Sequence, residues 1–223
     1  MSNQKSGSIT VIVGHICSGK STFTKKIASL FDVDIYIEES ELNPHLVDFY
    51  SDPKRAGFII QDYLLKKRAA IHVEAQLISE KKGRDVIIDG PIHKDFAFAE
   101  VNSQLGNIAP DDFIKHEKNR YSIMKSIKPP DNVVYLSVPT SVCKERIIQR
   151  CEQSTILDCE KKIELNLPNY FELLDERYSK VVLPMFKKMG IEPILLNWEN
   201  FDGGFDYIKF GKSIGLKLKK INL

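Results

Sequence analysis

Short apolar runs alternate along the chain with longer segments whose apolar residues recur at helical spacing. The runs predict five strands, at about residues 9–13, 34–37, 85–89, 132–138 and 191–197. The longer segments predict helices at about 20–31, 43–51, 54–82, 93–103, 110–127, 141–150 and 167–189, and a last short helix after the turn at 202–204. This alternation is typical of an α/β fold in which a doubly wound parallel five-stranded sheet is flanked by helices. We expect the 223 residues to form a single domain.

The first predicted strand runs directly into a phosphate-binding loop. Its residues match the complete pattern G-x-x-x-x-G-K-[ST], with Thr22 following, and they read Gly14-His15-Ile16-Cys17-Ser18-Gly19-Lys20-Ser21. The glycines let backbone N–H groups face phosphate oxygens, Lys20 reaches the β- and γ-phosphates, and the Ser21 hydroxyl is placed to bind Mg²⁺. The loop predicts a P-loop kinase type of fold that binds ATP, or another nucleoside triphosphate, together with Mg²⁺.

Carboxylates follow two other predicted strands. Asp89 ends the apolar run 86–89, where it either contacts the Mg²⁺ of the phosphate loop or only begins a turn. Glu38 and Glu39 end the second strand. One of them could accept a proton from an attacking hydroxyl, or both could belong to a solvated acidic loop. Because ligands of such sheets lie at the carboxyl ends of the strands, all three residues are candidates for the site.

Composition excludes several other classes of protein. The net charge of +2 does not indicate a nucleic-acid binder, and no apolar stretch is long enough to span a membrane, so neither partner is expected. The four cysteines (Cys17, Cys143, Cys151 and Cys159) form no C-x-x-C pair, which indicates neither a zinc site nor a disulfide framework. We therefore expect a cytoplasmic protein.

A longer pattern follows the second strand. Residues 38–50 have the spacing E-x-x-x-x-N-P-x-L-x-x-F-Y, and the long predicted helix adds Gln61 and Arg68. Together with the phosphate loop, the run ending in Asp89 and basic residues near 146–150, this pattern resembles the deoxyribonucleoside kinase family, particularly the bacterial deoxyadenosine/deoxyguanosine kinases. The resemblance covers most of the chain.

The resemblance implies a role for several residues in ATP-dependent phosphorylation of the 5′-hydroxyl of a deoxyribonucleoside, with a purine favoured. Glu38 would be the base and Gln61 would pair with the nucleobase edge, because an amide both donates and accepts. Tyr50 would contact the 3′-hydroxyl, and Arg68 and Asp95 would form a charged pair beside the base.

The resemblance also implies a lid at about 146–165 and a homodimer built on the long helices. The lid would bring basic side chains over the phosphates, namely Lys144, Arg146 and Arg150.

Two departures from the family pattern leave the function open. The segment Asp89-Gly90-Pro91 lacks the arginine that the family carries after this aspartate, and Glu152 replaces the second lid arginine. The lid glutamate of the family is also displaced, with Glu152 or Glu160 as possible substitutes. Three interpretations remain: a deoxynucleoside kinase, a related P-loop kinase for a nucleoside monophosphate or another alcohol, and a weakly catalytic nucleotide-binding subunit.

Overall fold

A parallel sheet forms the centre of the molecule. The computed structural model describes residues 6–39, 42–153, 163–199 and 204–219. Within them lie five strands: β1 (Ile9–Gly14), β2 (Asp34–Tyr36), β3 (Val86–Asp89), β4 (Asn132–Ser137) and β5 (Ile194–Asn197). Every pairing is parallel, in the order β2-β3-β1-β4-β5. The prediction of an α/β fold with a five-stranded parallel sheet is confirmed.

The central strands are buried along most of their length. All residues of β1 and β3 are buried, as are the four inner residues of β4. Such strands read as continuous apolar runs because helices cover both faces of a parallel sheet. In the register of the sheet Ile12 lies opposite Asp89 of β3 and Gly14 lies opposite Leu136 of β4. The phosphate loop and Asp89 therefore leave the sheet at neighbouring points.

Helices connect the strands. They are α1 (Lys20–Leu30), α2 (Leu46–Ser51), α3 (Pro53–Lys82), α4 (Asp95–Gln104), α5 (Pro110–Ser126), α6 (Thr140–Gln153), α7 (Ile163–Asn166), α8 (Tyr170–Arg177), α9 (Leu183–Lys188) and α10 (Tyr207–Ser213). A 3₁₀ turn at Ile92–Lys94 precedes α4. The long helix α3 begins at Pro53, where the Asp52 side chain accepts a hydrogen bond from the Arg55 N–H, and ends at Gly83 in the left-handed conformation. None of the helices in the described part of the chain is long and apolar enough to cross a membrane.

The predicted helix at 167–189 is divided in the structure. Asn169 adopts φ 57° immediately before α8, and a π-helical turn at Tyr178–Val182 separates α8 from α9. Pro184 lacks the N–H that a regular helix would use, and the wider π turn accommodates its ring. The periodicity of the apolar residues survives this interruption, and for that reason the sequence indicated one helix.

Candidate active site

A cavity of about 690 Å³ lies beyond the carboxyl ends of β1, β2 and β3. Most of the predicted site side chains line it: Lys20, Ser21, Glu38, Tyr50, Gln61, Arg68, Asp89, Arg146 and Arg150. They come from the phosphate loop, the ends of two strands, and helices α2, α3 and α6. The topology therefore collects in one cavity residues that are up to 130 positions apart in sequence.

The phosphate loop turns sharply after β1. Gly14 has φ 152°, and a Cβ at this position would lie 2.8 Å from the Ser18 hydroxyl oxygen and 2.9 Å from the Leu136 carbonyl oxygen. A side chain would not fit there. Gly19, with φ 91°, precedes α1, so the first N–H groups of that helix face the mouth of the loop. Lys20 Nζ donates to the His15 carbonyl oxygen at 2.6 Å within the loop.

The predicted loop residues divide between the cavity and the protein interior. The loop residues that line the cavity are Ile16, Cys17, Gly19, Lys20, Ser21 and Thr22. The His15 ring instead stacks on Phe171 at 4.8 Å, and its Nε2 lies 2.9 Å from the Phe171 carbonyl oxygen. This contact fastens the loop to α8, and burial lowers the pKa of His15.

Asp89 lies beside the loop with one oxygen unpaired. The Ser21 hydroxyl donates to Asp89 Oδ2, whereas Oδ1 is buried and has no hydrogen-bond partner among the described residues. Burial raises the pKa of Asp89, and Lys20 and Ser21 offset part of this rise. A buried carboxylate oxygen next to a hydroxyl suits a hard cation such as Mg²⁺. The donor set therefore fits the metal that the sequence predicts.

Glu38 is held between two cations. Its Oε1 accepts a hydrogen bond from Arg68 Nε at 2.9 Å and lies 2.9 Å from Arg68 Nη2, and its Oε2 is ion-paired with Lys94 Nζ. Burial alone would raise the pKa of Glu38, but Arg68 and Lys94 outweigh it and lower the pKa to about 2. The carboxylate is ionised and fixed in orientation at the cavity wall.

Asp95 lies behind Arg68 and outside the cavity lining. Its Oδ1 is 3.6 Å from Arg68 Nη1, and its Oδ2 is 2.7 Å from His116 Nε2 and 3.8 Å from Arg120 Nη1. The charged pair of Arg68 and Asp95 expected from the resemblance is therefore present. It is part of a buried network that connects α3, α4 and α5, which steadies the guanidinium that holds Glu38.

The cavity wall beyond Glu38 combines apolar side chains with the buried amide of Gln61. Phe49, Leu64 and Phe98 line the cavity beside Tyr50 and Gln61. Gln61 is 1% exposed, and its Oε1 has no partner within the described residues. An apolar wall with a buried amide of this kind can bind a planar heterocycle that offers both a donor and an acceptor.

The basic residues of α6 divide into two groups. Arg146 Nη2 donates to the carbonyl oxygens of Trp198 at 3.2 Å and Glu199 at 2.6 Å, which places its guanidinium between the phosphate loop and the end of β5. Arg150 also lines the cavity, whereas Lys144 pairs with Glu172 at 2.8 Å outside the lining. Glu152 is exposed on α6 and does not line the cavity. Residues 154–162 of the predicted lid, including Cys159 and Glu160, lie outside the described residues.

Lys94 is a charged site residue that sequence reasoning missed. It follows β3 in the 3₁₀ turn, lines the cavity, and is only 6% exposed. Burial lowers the pKa of its ammonium to about 8, although Glu38 acts in the opposite direction. In the sequence, the signal for Lys94 was its position next to Asp95. Only the fold shows that the Lys94 side chain reaches Glu38.

These features define a nucleotide-binding protein of the P-loop class. The sequence pattern of the family "Deoxynucleoside kinase" matches residues 10–202. The chain belongs to the deoxynucleoside kinase family, which confirms the resemblance described above.

Three relatives illustrate the range of the family matches. The deoxyguanosine kinase of Dictyostelium discoideum is 30% identical over 86% of this chain, which spans only 65% of that protein. The deoxyadenosine kinase of the same organism is 29% identical, covering 87% of this chain and 74% of that one. NADH dehydrogenase [ubiquinone] 1 alpha subcomplex subunit 10 of Bos taurus is 25% identical, covering 99% of this chain and 69% of that protein.

The fold also has a solved counterpart. The deoxyadenosine kinase of M. mycoides with bound dATP superposes with a TM-score of 0.73, covering 92% of this chain and 98% of that one at 23% identity. This likeness confirms the fold.

Proposed function

We propose that the protein transfers the γ-phosphoryl group of ATP to the 5′-hydroxyl of a deoxyribonucleoside, with a purine base favoured. One observation carries the proposal: a single cavity contains the phosphate-loop lysine, Lys20, and an ionised carboxylate, Glu38, that Arg68 and Lys94 hold in place. Phosphoryl transfer needs this arrangement, since the donor phosphates and the acceptor hydroxyl must meet in line.

The proposed step moves one proton and one phosphoryl group. The 5′-oxygen forms a bond to the γ-phosphorus while its proton passes to a Glu38 oxygen, and the bond from the γ-phosphorus to the bridging oxygen breaks to release ADP. With its pKa lowered to about 2, Glu38 is unprotonated at neutral pH and ready to accept the proton. In a loose transition state this transfer comes late, when the hydroxyl has become acidic.

The phosphate loop and Asp89 hold the donor. Backbone N–H groups at the start of α1 and the Lys20 ammonium bind the phosphates after Lys20 leaves the His15 carbonyl oxygen. Ser21 and the unpaired Oδ1 of Asp89 are the residues that would hold Mg²⁺. When bound, the metal offsets negative charge on the phosphates.

The acceptor side recognises the nucleoside. Gln61 pairs with the base edge through its amide, and Tyr50 contacts the sugar. Arg68, which Asp95 supports from behind, lies beside the base and favours one with exocyclic polar groups. Arg146 and Arg150 stabilise charge on the transferring group from the side of α6.

We also propose that the protein is a homodimer. Helices α3 and α5 contact one another, and both expose large apolar side chains. These side chains are Ile59, Val73 and Leu77 on α3 and Ile114 and Tyr121 on α5. The spacings are fourteen and four residues on α3 and seven residues on α5, and they bring the side chains of each helix to one of its faces. A second copy of the chain would cover this face.

A second candidate function is that of a nucleotide-binding subunit without substantial turnover. It is favoured by the relationship to the Bos taurus NADH dehydrogenase subunit. Against it stands the arrangement of Lys20, Glu38 and Asp89, since an ion-paired carboxylate and an intact phosphate loop line the same cavity.

A transfer assay tests the proposal. The protein is supplied with γ-labelled ATP and Mg²⁺ together with each deoxynucleoside, ribonucleoside and nucleoside monophosphate in turn. We expect labelled product with a purine deoxynucleoside and none with the Lys20→Ala variant. Label in a monophosphate acceptor would overturn the assignment of substrate class. Nucleotide binding with no product from any acceptor would favour the subunit role.

A further inference from the structure

Lys94 occupies an unusual position for a lysine. Its side chain is 7% exposed, its Nζ lies 5.4 Å from the centre of the Phe98 ring, and it is ion-paired with Oε2 of Glu38. Arg68 holds the other oxygen, Oε1. The two cations thus hold both oxygens of the Glu38 carboxylate. With one cation alone, the other oxygen would be free to move.

Burial of this ammonium is costly for the fold. Transfer of a charge out of water is unfavourable, and for Lys94 this cost is visible as a pKa lowered to about 8. An apolar side chain of the same length would pack against Phe98 without that penalty. A lysine at this position therefore indicates a use for its charge.

Gly90 explains why the charge comes from Lys94. This glycine follows Asp89 with φ 77°, and a Cβ there would lie 3.0 Å from both Cβ and Oε2 of Glu38. The Glu38 side chain packs directly over the bare glycine backbone, so no side chain can start from residue 90 without displacing it. The family arginine is missing at this point, and the following 3₁₀ turn brings Lys94 back to the same carboxylate.

We infer that Lys94 is a positioning residue of phosphoryl transfer, which aims the Glu38 carboxylate at the acceptor hydroxyl and supplies the positive charge that residue 90 does not provide. This inference rests on the proposed function. When Glu38 accepts the proton, its charge is cancelled and the Lys94 ammonium loses its counter-ion. The released positive charge then faces the region between Lys20 and Asp89, where negative charge moves during transfer.

Two substitutions separate the charge of Lys94 from its bulk. In Lys94→Met the length is kept and the charge is lost, and we expect kcat for the deoxynucleoside to fall by about 10²-fold with little change in the KM for ATP. In Lys94→Arg the charge is kept, and we expect most of the loss to be recovered. Lys115→Met is the matched control, because Lys115 also lies over a ring, that of Phe58 at 5.6 Å, but on α5 outside the cavity lining.

The pH profile distinguishes positioning by a charge from a role in packing. The charged groups that face Lys94 are Glu38, Arg68, Lys20 and Asp89. Burial, together with Arg68 and Lys20, lowers its pKa to about 8, whereas Glu38 acts in the opposite direction. We expect kcat/KM for the deoxynucleoside to decline above about pH 8 in the unmodified enzyme as Lys94 loses its proton. In Lys94→Arg this decline should move to higher pH, because arginine keeps its proton there. Equal alkaline limbs in the two proteins would overturn the inference, as would activity of Lys94→Met within twofold of the unmodified enzyme.

Failure of the proposed function has a different signature. If the unmodified protein transfers phosphate to no acceptor, the proposed function fails. The interaction between Lys94 and Glu38 is then tested by NMR titration of the lysine ¹³Cε signals in solution. The Lys94 signal, identified by its loss in Lys94→Arg, should titrate near pH 8 and at still lower pH in Glu38→Gln, because Glu38 raises the pKa of Lys94. A Lys94 titration that Glu38→Gln leaves unchanged would overturn the inference without any activity measurement.

Discussion

The two sides of the cavity are built in opposite ways. The proposed donor half, residues 14–22 with Asp89, is mostly backbone from one contiguous segment. Within the part of the chain that the structure describes, one Asp89 oxygen has no hydrogen-bond partner, and Lys20 is hydrogen-bonded to its own loop. The proposed acceptor half, defined by Glu38, Gln61, Arg68, Lys94 and Asp95, is made of side chains from several elements, and ion pairs fix Glu38, the proposed base.

This contrast shows where each half obtains its geometry. The donor half is shaped by a local backbone turn and is completed by its ligand, so that its unsatisfied groups are partners for phosphate and metal. The acceptor half is shaped by tertiary packing, and ion pairs within the protein orient the carboxylate of Glu38, the proposed base. Changes in the donor half should therefore alter the response to nucleotide and metal, whereas changes in the acceptor half should alter turnover and stability together.

The largest expected effect is in the acceptor half. Glu38→Gln keeps the shape of the side chain but removes the proton acceptor, and we expect kcat to fall by about 10³-fold while ATP affinity, measured by calorimetry, is unchanged. Glu39→Gln is the comparison, because the exposed Glu39 has no ion pair among the described residues and should retain most of the activity. Equal losses in both variants would contradict the assignment of the base to Glu38.

The matching change in the donor half is Asp89→Asn. It leaves a neutral oxygen where Mg²⁺ would bind, so we expect kcat to fall by about 10²-fold and the Mg²⁺ concentration for half-maximal rate to rise. Asp62→Asn on α3, which removes a carboxylate paired with Lys66 at 2.6 Å, is the control. An unaltered Mg²⁺ dependence in Asp89→Asn would mean that this carboxylate does not contact the metal.

The next effect concerns stability of the acceptor half in acid. Burial lowers the pKa of His72 to about 4, below the ordinary 6.5, and His72 Nε2 accepts a hydrogen bond from the Ile92 N–H at the turn that carries Lys94. The unfolded chain binds a proton that the folded chain excludes, so this stabilisation is present above pH 6.5 and is lost as pH falls toward 4. We expect urea unfolding to show a loss of about 2 kcal/mol between pH 7 and pH 5 from this group.

A matched pair of variants checks this interpretation. His72→Gln retains an acceptor for the Ile92 N–H but does not titrate in this range, so its pH dependence should be smaller. His45→Gln, which changes a histidine near Tyr63, should keep the slope of the unmodified protein. The same slope in all three proteins would assign the acid sensitivity to other groups.

The smallest effect tests how closely Glu38 packs on Gly90. Gly90→Ala adds a Cβ within 3.0 Å of the Glu38 side chain, and we expect turnover to fall about tenfold as the carboxylate is pushed aside. Gly106→Ala provides the control, because Gly106 has φ 71° but its added Cβ would meet nothing within 4 Å. Both variants should lose about 1 kcal/mol of stability through backbone strain, measured by urea unfolding. Full turnover in Gly90→Ala would mean that Glu38 tolerates displacement.

The donor half could be predicted from the sequence because its information is local. The loop from Gly14 to Ser21 and the strand before it are adjacent in sequence, and each glycine has a local conformational reason. The strands were also predictable, since burial on both faces leaves continuous apolar runs.

The acceptor half could be predicted only in part. The resemblance pointed to Glu38, Arg68 and Asp95, but their roles at the site remain predictions. The partnership of Lys94 with Glu38 could not be read from sequence, because the two residues are 56 positions apart and meet only through the packing of β2 beside β3. The π turn before Pro184 was missed because a widened turn preserves the apolar face of a helix.

The segment from Asp89 to Asp95 serves both halves within seven residues. Its first residue accepts the Ser21 hydroxyl at the proposed metal position, its sixth contacts Glu38, and its last pairs with Arg68. One inserted residue would rotate the helical residues after it by about 100° and advance them by about 1.5 Å, so Lys94 and Asp95 would both face away from their partners. The turn at Gly190, where an added Cβ meets no atom within 4 Å, has no such constraint. Length variation among natural or engineered versions of this chain is therefore expected at the turn before β5 and not between Asp89 and Asp95.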